Sequence, residues 1–180
     1  MSRVIALRSP ASWRMLAHAI TLHGRRASLK IIVSIAIACP AESVFAFVSD
    51  YTRDPVWRTG VIAMSQTPRG RSQLGTHTLE VARFFGRNMT TPAEVTKYEP
   101  GREIDFAGVM AKKIRVSGSR TVEEADGGAR FTYQATVEEP ALLRPLSPLL
   151  VRMLRRRFLG DLRRLKALVE AACPPSIARE

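Results

Sequence analysis

Two cysteines and three histidines among 180 residues are too few for a disulfide framework or a metal cluster. Cys39, beside Pro40, reads as a small buried residue rather than a reactive thiol. No apolar run approaches the ~18 residues that a membrane-spanning helix needs, and the longest, residues 31–39, suits a buried strand. Nothing resembles a secretory leader, so the cytoplasm is the expected location. There is no glycine-rich phosphate loop ahead of a helix, no nucleophile elbow and no His/Cys/Asp spacing suited to a metal. These absences argue against cofactor-dependent chemistry, and no cofactor is expected. Internal repeats and low-complexity segments are missing too.

Charge is plentiful but unevenly placed. The net charge is +12, from 28 Lys and Arg against 16 Asp and Glu. Residues 1–30 carry Arg3, Arg8, Arg14, Arg25, Arg26 and Lys30 with no acid, and residues 141–172 carry a second basic cluster, while the span between is neutral. A protein that reads nucleic acid across a sheet loads that sheet with bases and stacking aromatics, so a neutral middle argues against this mode. Residues 1–28 form a basic extension for which three readings stand: a disordered or partly helical arm, a targeting segment, or an over-extended start with Met15 or a later residue as the first. Residues 29–172 form one domain, and residues 173–180, with Pro174-Pro175, a loose tail.

Within the domain, the β-branched run 29–38 predicts a strand buried on both sides or paired centrally. After Pro40, the spacing of Val44, Phe47 and Val48 predicts a short helix, and the caps around Asp50, Asp54 and Pro55 predict a second helical turn ending near Gly60. Six strand candidates follow at 61–67, 76–85, 90–98, 102–110, 113–122 and 129–138. The connections between them are too short for crossover helices, which makes neighbours antiparallel. From about Pro145 to Ala171, Leu150, Met153, Leu154, Phe158, Leu162, Leu165 and Val169 recur at helical spacing, with Arg152, Arg155, Arg156, Arg163 and Arg164 mostly on the other side. The fold class is therefore α+β: a curved antiparallel meander wrapped round one long C-terminal helix, a shape that leaves space for a ligand between the two.

That element order resembles the helix-grip architecture of the START-like (SRPBCC) superfamily. Pro40-Ala41-Glu42-Ser43-Val44-Phe45, Val48-Ser49-Asp50, Pro55 with Trp57, Gly75-Thr76 and 94–101 (Glu-Val-Thr-Lys-Tyr-Glu-Pro-Gly) are similar to its polyketide cyclase/dehydrase-like branch. The resemblance covers roughly residues 29–172. It implies binding of a hydrophobic or aromatic small molecule or a lipid in an internal cavity, with a cyclase/dehydrase-type enzyme as the alternative. Fold alone does not choose between them.

Five residues are expected to line that cavity: Trp57 by stacking and its N–H, Phe106, Tyr133, and from the helix Met153 and Phe158. Core packing accounts for each of them equally well. For proton transfer or oxyanion binding the candidates are His77, Arg83 and Tyr133. His77 shares one strand side with Leu79, Val81 and Arg83, and an inward Arg83 would need an acid such as Asp105 or a ligand anion. Arg152, Arg155, Arg156, Arg163 and Arg164, with the N-terminal arm, form a possible docking surface for an anionic membrane, for which a solvated helix face is the plain alternative.

Overall fold

The computed structural model describes residues 28–84, 86–138 and 145–173, so the basic extension before Ser28 and the tail after Cys173 lie outside the described residues. The chain runs β1 (Ser28–Ile37), α1 (Ala41–Val48), a 3-10 turn (Tyr51–Arg53), α2 (Asp54–Trp57), β2 (Val61–Thr67), β3 (His77–Phe84), β4 (Arg87–Glu99), β5 (Glu103–Met110), β6 (Ile114–Ala125), β7 (Gly128–Glu138) and α3 (Ser147–Ala172). All seven strands form one curved antiparallel sheet in the order β1-β7-β6-β5-β4-β3-β2. The helix-grip class expected from the element order is the one adopted.

Period-2 patterning decides which side of each strand faces in. In β7, Ala129, Phe131, Tyr133 and Ala135 are buried, whereas Arg130 is exposed. In β4 the inward set is Thr91, Ala93 and Val95, and its register with β3 places Glu80 opposite Thr91 and Thr78 opposite Ala93. Directly opposed residues share a face. The inward side of β3 is thus the Thr78–Glu80 side, and His77, Leu79, Val81 and Arg83 lie on the other.

β1 corrects an expectation. It is neither central nor buried twice: it pairs with β7 alone, and its burial alternates, with Ile31, Val33 and Ile37 buried and Ile32 48% exposed. The continuous apolar run arises because α3 covers one side while Ile32, Ser34 and Ala36 face outward on an edge strand.

α3 is held chiefly by its second half. Leu162, Leu165 and Val169 are buried, each such side chain contributing on the order of 2 kcal/mol, whereas nothing from Ser147 to Gly160 is fully buried. Lys166 Nζ donates to Ala36 O at 2.7 Å, and Glu170 Oε1 accepts from Ala38 N at 2.7 Å. Cys173 at the helix end is bonded to Cys39 just after β1, with Cα atoms 6.1 Å apart. Cys39 is buried as expected, but it is paired with Cys173, a bond that the reading of two cysteines as too few for a disulfide framework did not foretell. Counting cysteines missed it because only the return of α3 along β1 brings together two residues 134 positions apart.

Candidate functional site

Tyr133 on β7 is the centre of the interior. Trp57 from α2 and Phe158 from α3 meet its ring edge-on at centroid distances of 6.3 and 5.4 Å, and Phe106 of β5 stacks on it at 6.4 Å. Phe106 can lie there because its cross-strand partner is Gly118: a Cβ at that position would run into Gln134 O and the Phe106 ring.

Two arginines enter this aromatic cluster. Arg120 of β6 is 1% exposed; its guanidinium lies 4.0 Å from the Tyr51 ring centroid, with Trp57 and Tyr133 within 6 Å, and Nη1 donates to Val48 O at 2.6 Å. Its other charge contact is Asp54, fully buried at the start of α2. The same Asp54 oxygen accepts from Arg58 Nη1 at 2.9 Å, and Nη1 also donates to Glu80. The result is a chain of alternating charge, Glu80–Arg58–Asp54–Arg120, with no net charge, which makes its burial tolerable.

Beside this chain Trp57, Arg58, Tyr133, Phe158, Asp161 and Leu162 meet at a narrow crevice that is closed to a water-sized guest. Drug-sized ligands need ~300 Å³ or more. Any guest therefore requires the lightly packed first half of α3 to move. The middle of the helix is latched across the crevice at one residue: Asp161 Oδ1 accepts from Thr59 N at 2.8 Å, and Arg157 donates to Thr59 O.

Donors outnumber acceptors here, although Asp54 Oδ1 in the adjoining charge chain is also buried without a partner. Trp57 Nε1 is buried without a partner. Both ion pairs of Arg58 use Nη1, leaving Nη2 and Nε unengaged among the described residues, and no hydrogen bond engages the Tyr133 hydroxyl there. Burial pushes the Tyr133 phenol up, against the pull of Arg58 and Arg120, so it is a neutral O–H donor at physiological pH. Burial alone would lower Arg58, but Tyr133, Glu80 and Asp54 outweigh it and hold the guanidinium charged. Among the described residues, no three His, Cys, Asp or Glu side chains gather as a metal would require.

The profile of one protein family, described as polyketide cyclase / dehydrase and lipid transport, matches residues 28–170. The chain belongs to that family. The solved structures similar to this family member share its fold at low identity. They include the Zhui aromatase/cyclase from Streptomyces (TM-score 0.67, 13% identity, covering 84% of this chain and 99% of that one) and a protein of Thermus thermophilus (TM-score 0.68, 18% identity, 81% and 99%). A third is the di-domain aromatase/cyclase StfQ of the steffimycin pathway (TM-score 0.66, 15% identity); this family member covers 81% of itself but spans about half, 51%, of that chain. No curated protein sequence matches. Membership in this family fits binding of a hydrophobic ligand. No described helix is long and apolar enough to cross a membrane.

Of the residues expected to line the cavity, the fold brings Trp57, Tyr133 and Phe158 together at the space and sets Phe106 behind Tyr133. Met153 is 39% exposed and lies on the outward side of α3. His77 pairs in register with Glu94 on the outer face of β3, away from the space. Arg83 is exposed, and its Nε meets Asn88 Oδ1 at 3.5 Å rather than Asp105. Sequence reasoning passed over Arg58, Asp54, Glu80, Arg120 and Asp161. Two of these carried a visible signal: Arg120 sits on the Val116-Gly118-Val122 side of β6, and Asp161 interrupts the inward stripe of α3.

Proposed function

We propose that the family member binds a hydrophobic or aromatic molecule that carries an acceptor oxygen, a carboxylate or an enolic or carbonyl group, with its apolar body between Trp57 and Phe158 and its oxygen on Arg58 and Tyr133. The observation that carries this reading is the donor surplus where Trp57, Arg58, Tyr133 and Phe158 meet, with Asp161 the one carboxylate in the lining and already engaged by Thr59 N. A buried donor left unmatched costs ~1–3 kcal/mol, so the ligand that supplies the missing acceptor is favoured over its apolar isostere. A cyclase/dehydrase-type enzyme is the second reading, supported by the same convergence: a charged guanidinium and a neutral phenol are the groups that would hold a developing enolate. In that reading Tyr133 is kept as the candidate proton donor.

Fluorescence titration with naphthoate and with its neutral counterpart naphthalene tests the recognition. Naphthoate is expected to bind about tenfold or more tightly, and Tyr133→Phe to reduce that preference while leaving naphthalene binding intact. Equal affinity for the two compounds, in the unaltered protein and in Tyr133→Phe, rules the assignment out.

Location and partner belong to the same reading. Arg152, Arg155, Arg156, Arg163 and Arg164 are exposed and make no ion pair among the described residues, which supports a peripheral place on an anionic membrane. A chain residing in the cytoplasm would be expected to hold Cys39 and Cys173 as thiols, so the thiol content of protein taken directly from cells separates a reducing from an oxidising compartment.

A further inference from the structure

The outward face of α3 is not uniformly polar. Leu162, Leu165 and Val169 fix the inward direction of the helix. At 100° per residue, Leu149 and Met153 then fall on the opposite side, and Leu146 just before the helix continues the same line. All three are exposed, Leu149 at 66%, Leu146 at 52% and Met153 at 39%. Arg152 and Arg156 stand on the same outward side and are exposed. Neither has an acidic partner among the described residues, so their charge is directed outward.

An apolar stripe bordered by unpaired arginines on a surface helix suits one environment better than water. The side chains enter the acyl boundary of a bilayer while the guanidinium groups stay at the headgroup level. An acidic protein surface would match the arginines but gives no reason for the line of three apolar side chains beside them. The same stretch is the half of α3 with no fully buried residue, and its inward side carries Phe158 at the ligand space.

From this juxtaposition we infer that the segment Leu146–Arg156 is a docking element for an anionic lipid bilayer, setting the ligand space against the membrane so that an apolar ligand passes between them without crossing water. The inference rests on the hydrophobic-ligand reading for its purpose, but not for its geometry.

Co-sedimentation of the full chain with vesicles of phosphatidylcholine alone, and of equal parts phosphatidylcholine and phosphatidylglycerol, tests it. Binding is expected to the mixed vesicles only and to weaken with salt. Leu146→Ser/Leu149→Ser and Arg152→Gln/Arg156→Gln are each expected to lower it by about tenfold or more. Both pairs of substitutions lie on an exposed face, so the helical circular dichroism and the solution binding of N-phenylnaphthylamine should not change. Unaltered vesicle binding by the Leu146→Ser/Leu149→Ser variant overturns the proposal, as does duplex DNA displacing the chain from vesicles while that variant binds like the parent, which marks a polyanion surface instead. Failure of N-phenylnaphthylamine to bind while vesicle docking persists removes the ligand reading and leaves the docking element standing.

Discussion

Asp54→Ala is expected to destabilise the protein by roughly 3–5 kcal/mol, because it removes the shared counter-charge of two arginines at once. Asp54 is fully buried, and its partner Arg120 is 1% exposed and cannot turn to water. Arg58 retains Glu80, but Arg120 retains only Val48 O and the faces of Tyr51, Trp57 and Tyr133. In a domain of this length ~1 kcal/mol moves the thermal midpoint by about 2–4 °C, so a fall on the order of 10 °C is expected, with a matching shift in the urea midpoint. Combining Asp54→Leu with Arg120→Met should recover much of the loss, since a buried ion pair replaced by apolar groups of similar volume is often close to neutral. A cost below ~1 kcal/mol for Asp54→Ala would mean that the pair is hydrated in solution and does not organise the aromatic cluster. The consequence for binding is direct. Asp54 opens the short helix that bears Trp57 and leads to Arg58, so losing it disturbs both residues at the ligand space.

The fold was legible because its determinants are local and periodic. Short turn-bounded segments with alternating burial, such as 129–138, and a long stripe at three- and four-residue steps specify strands, their antiparallel pairing and the gripping helix without knowledge of register. The site depended on register. Arg83 and Arg120 present the same signal, an arginine on the more apolar side of a strand. In β6 that side faces in, because Gly118 and Val122 are buried beside Arg120. In β3 the less apolar side faces in, because Glu80 is required opposite Thr91 as the partner of Arg58. Which side wins follows from pairing with β4 and from a charge partner on α2, neither of which is visible within β3 itself. For the same reason Glu80, on the strand side away from His77, is the acid that matters. Met153 was assigned inward from helical periodicity alone, yet it belongs to the outward line of Leu146 and Leu149, and only the buried positions of the second half of α3 fix the phase of that helix.

Reducing the Cys39–Cys173 bond, or replacing Cys39 by Ser, is expected to cost about 4–5 kcal/mol in the chain-entropy account, because the bond joins residues 134 positions apart and so constrains most of the described chain when unfolded. The thermal midpoint should fall by roughly 10 °C or more on adding a dithiol reductant, with no change on adding it to Cys39→Ser. Alkylation before and after reduction, read by intact mass, establishes whether the bond is present in the protein as purified; two free thiols before reduction, or identical midpoints in both states, would remove the bond from the account of stability. The effect should be local in the native state. Leu162, Leu165, Val169, Lys166 and Glu170 still fasten α3 to β1 and the core when the sulfurs part, so the helix keeps its place and its circular dichroism. Loosening should appear as faster amide exchange in the last turns around Val169. Oxidised, the helix is fixed at its far end and can yield only over Ser147–Gly160, beside the ligand space; reduced, it can give at both ends, and ligand release should quicken with it.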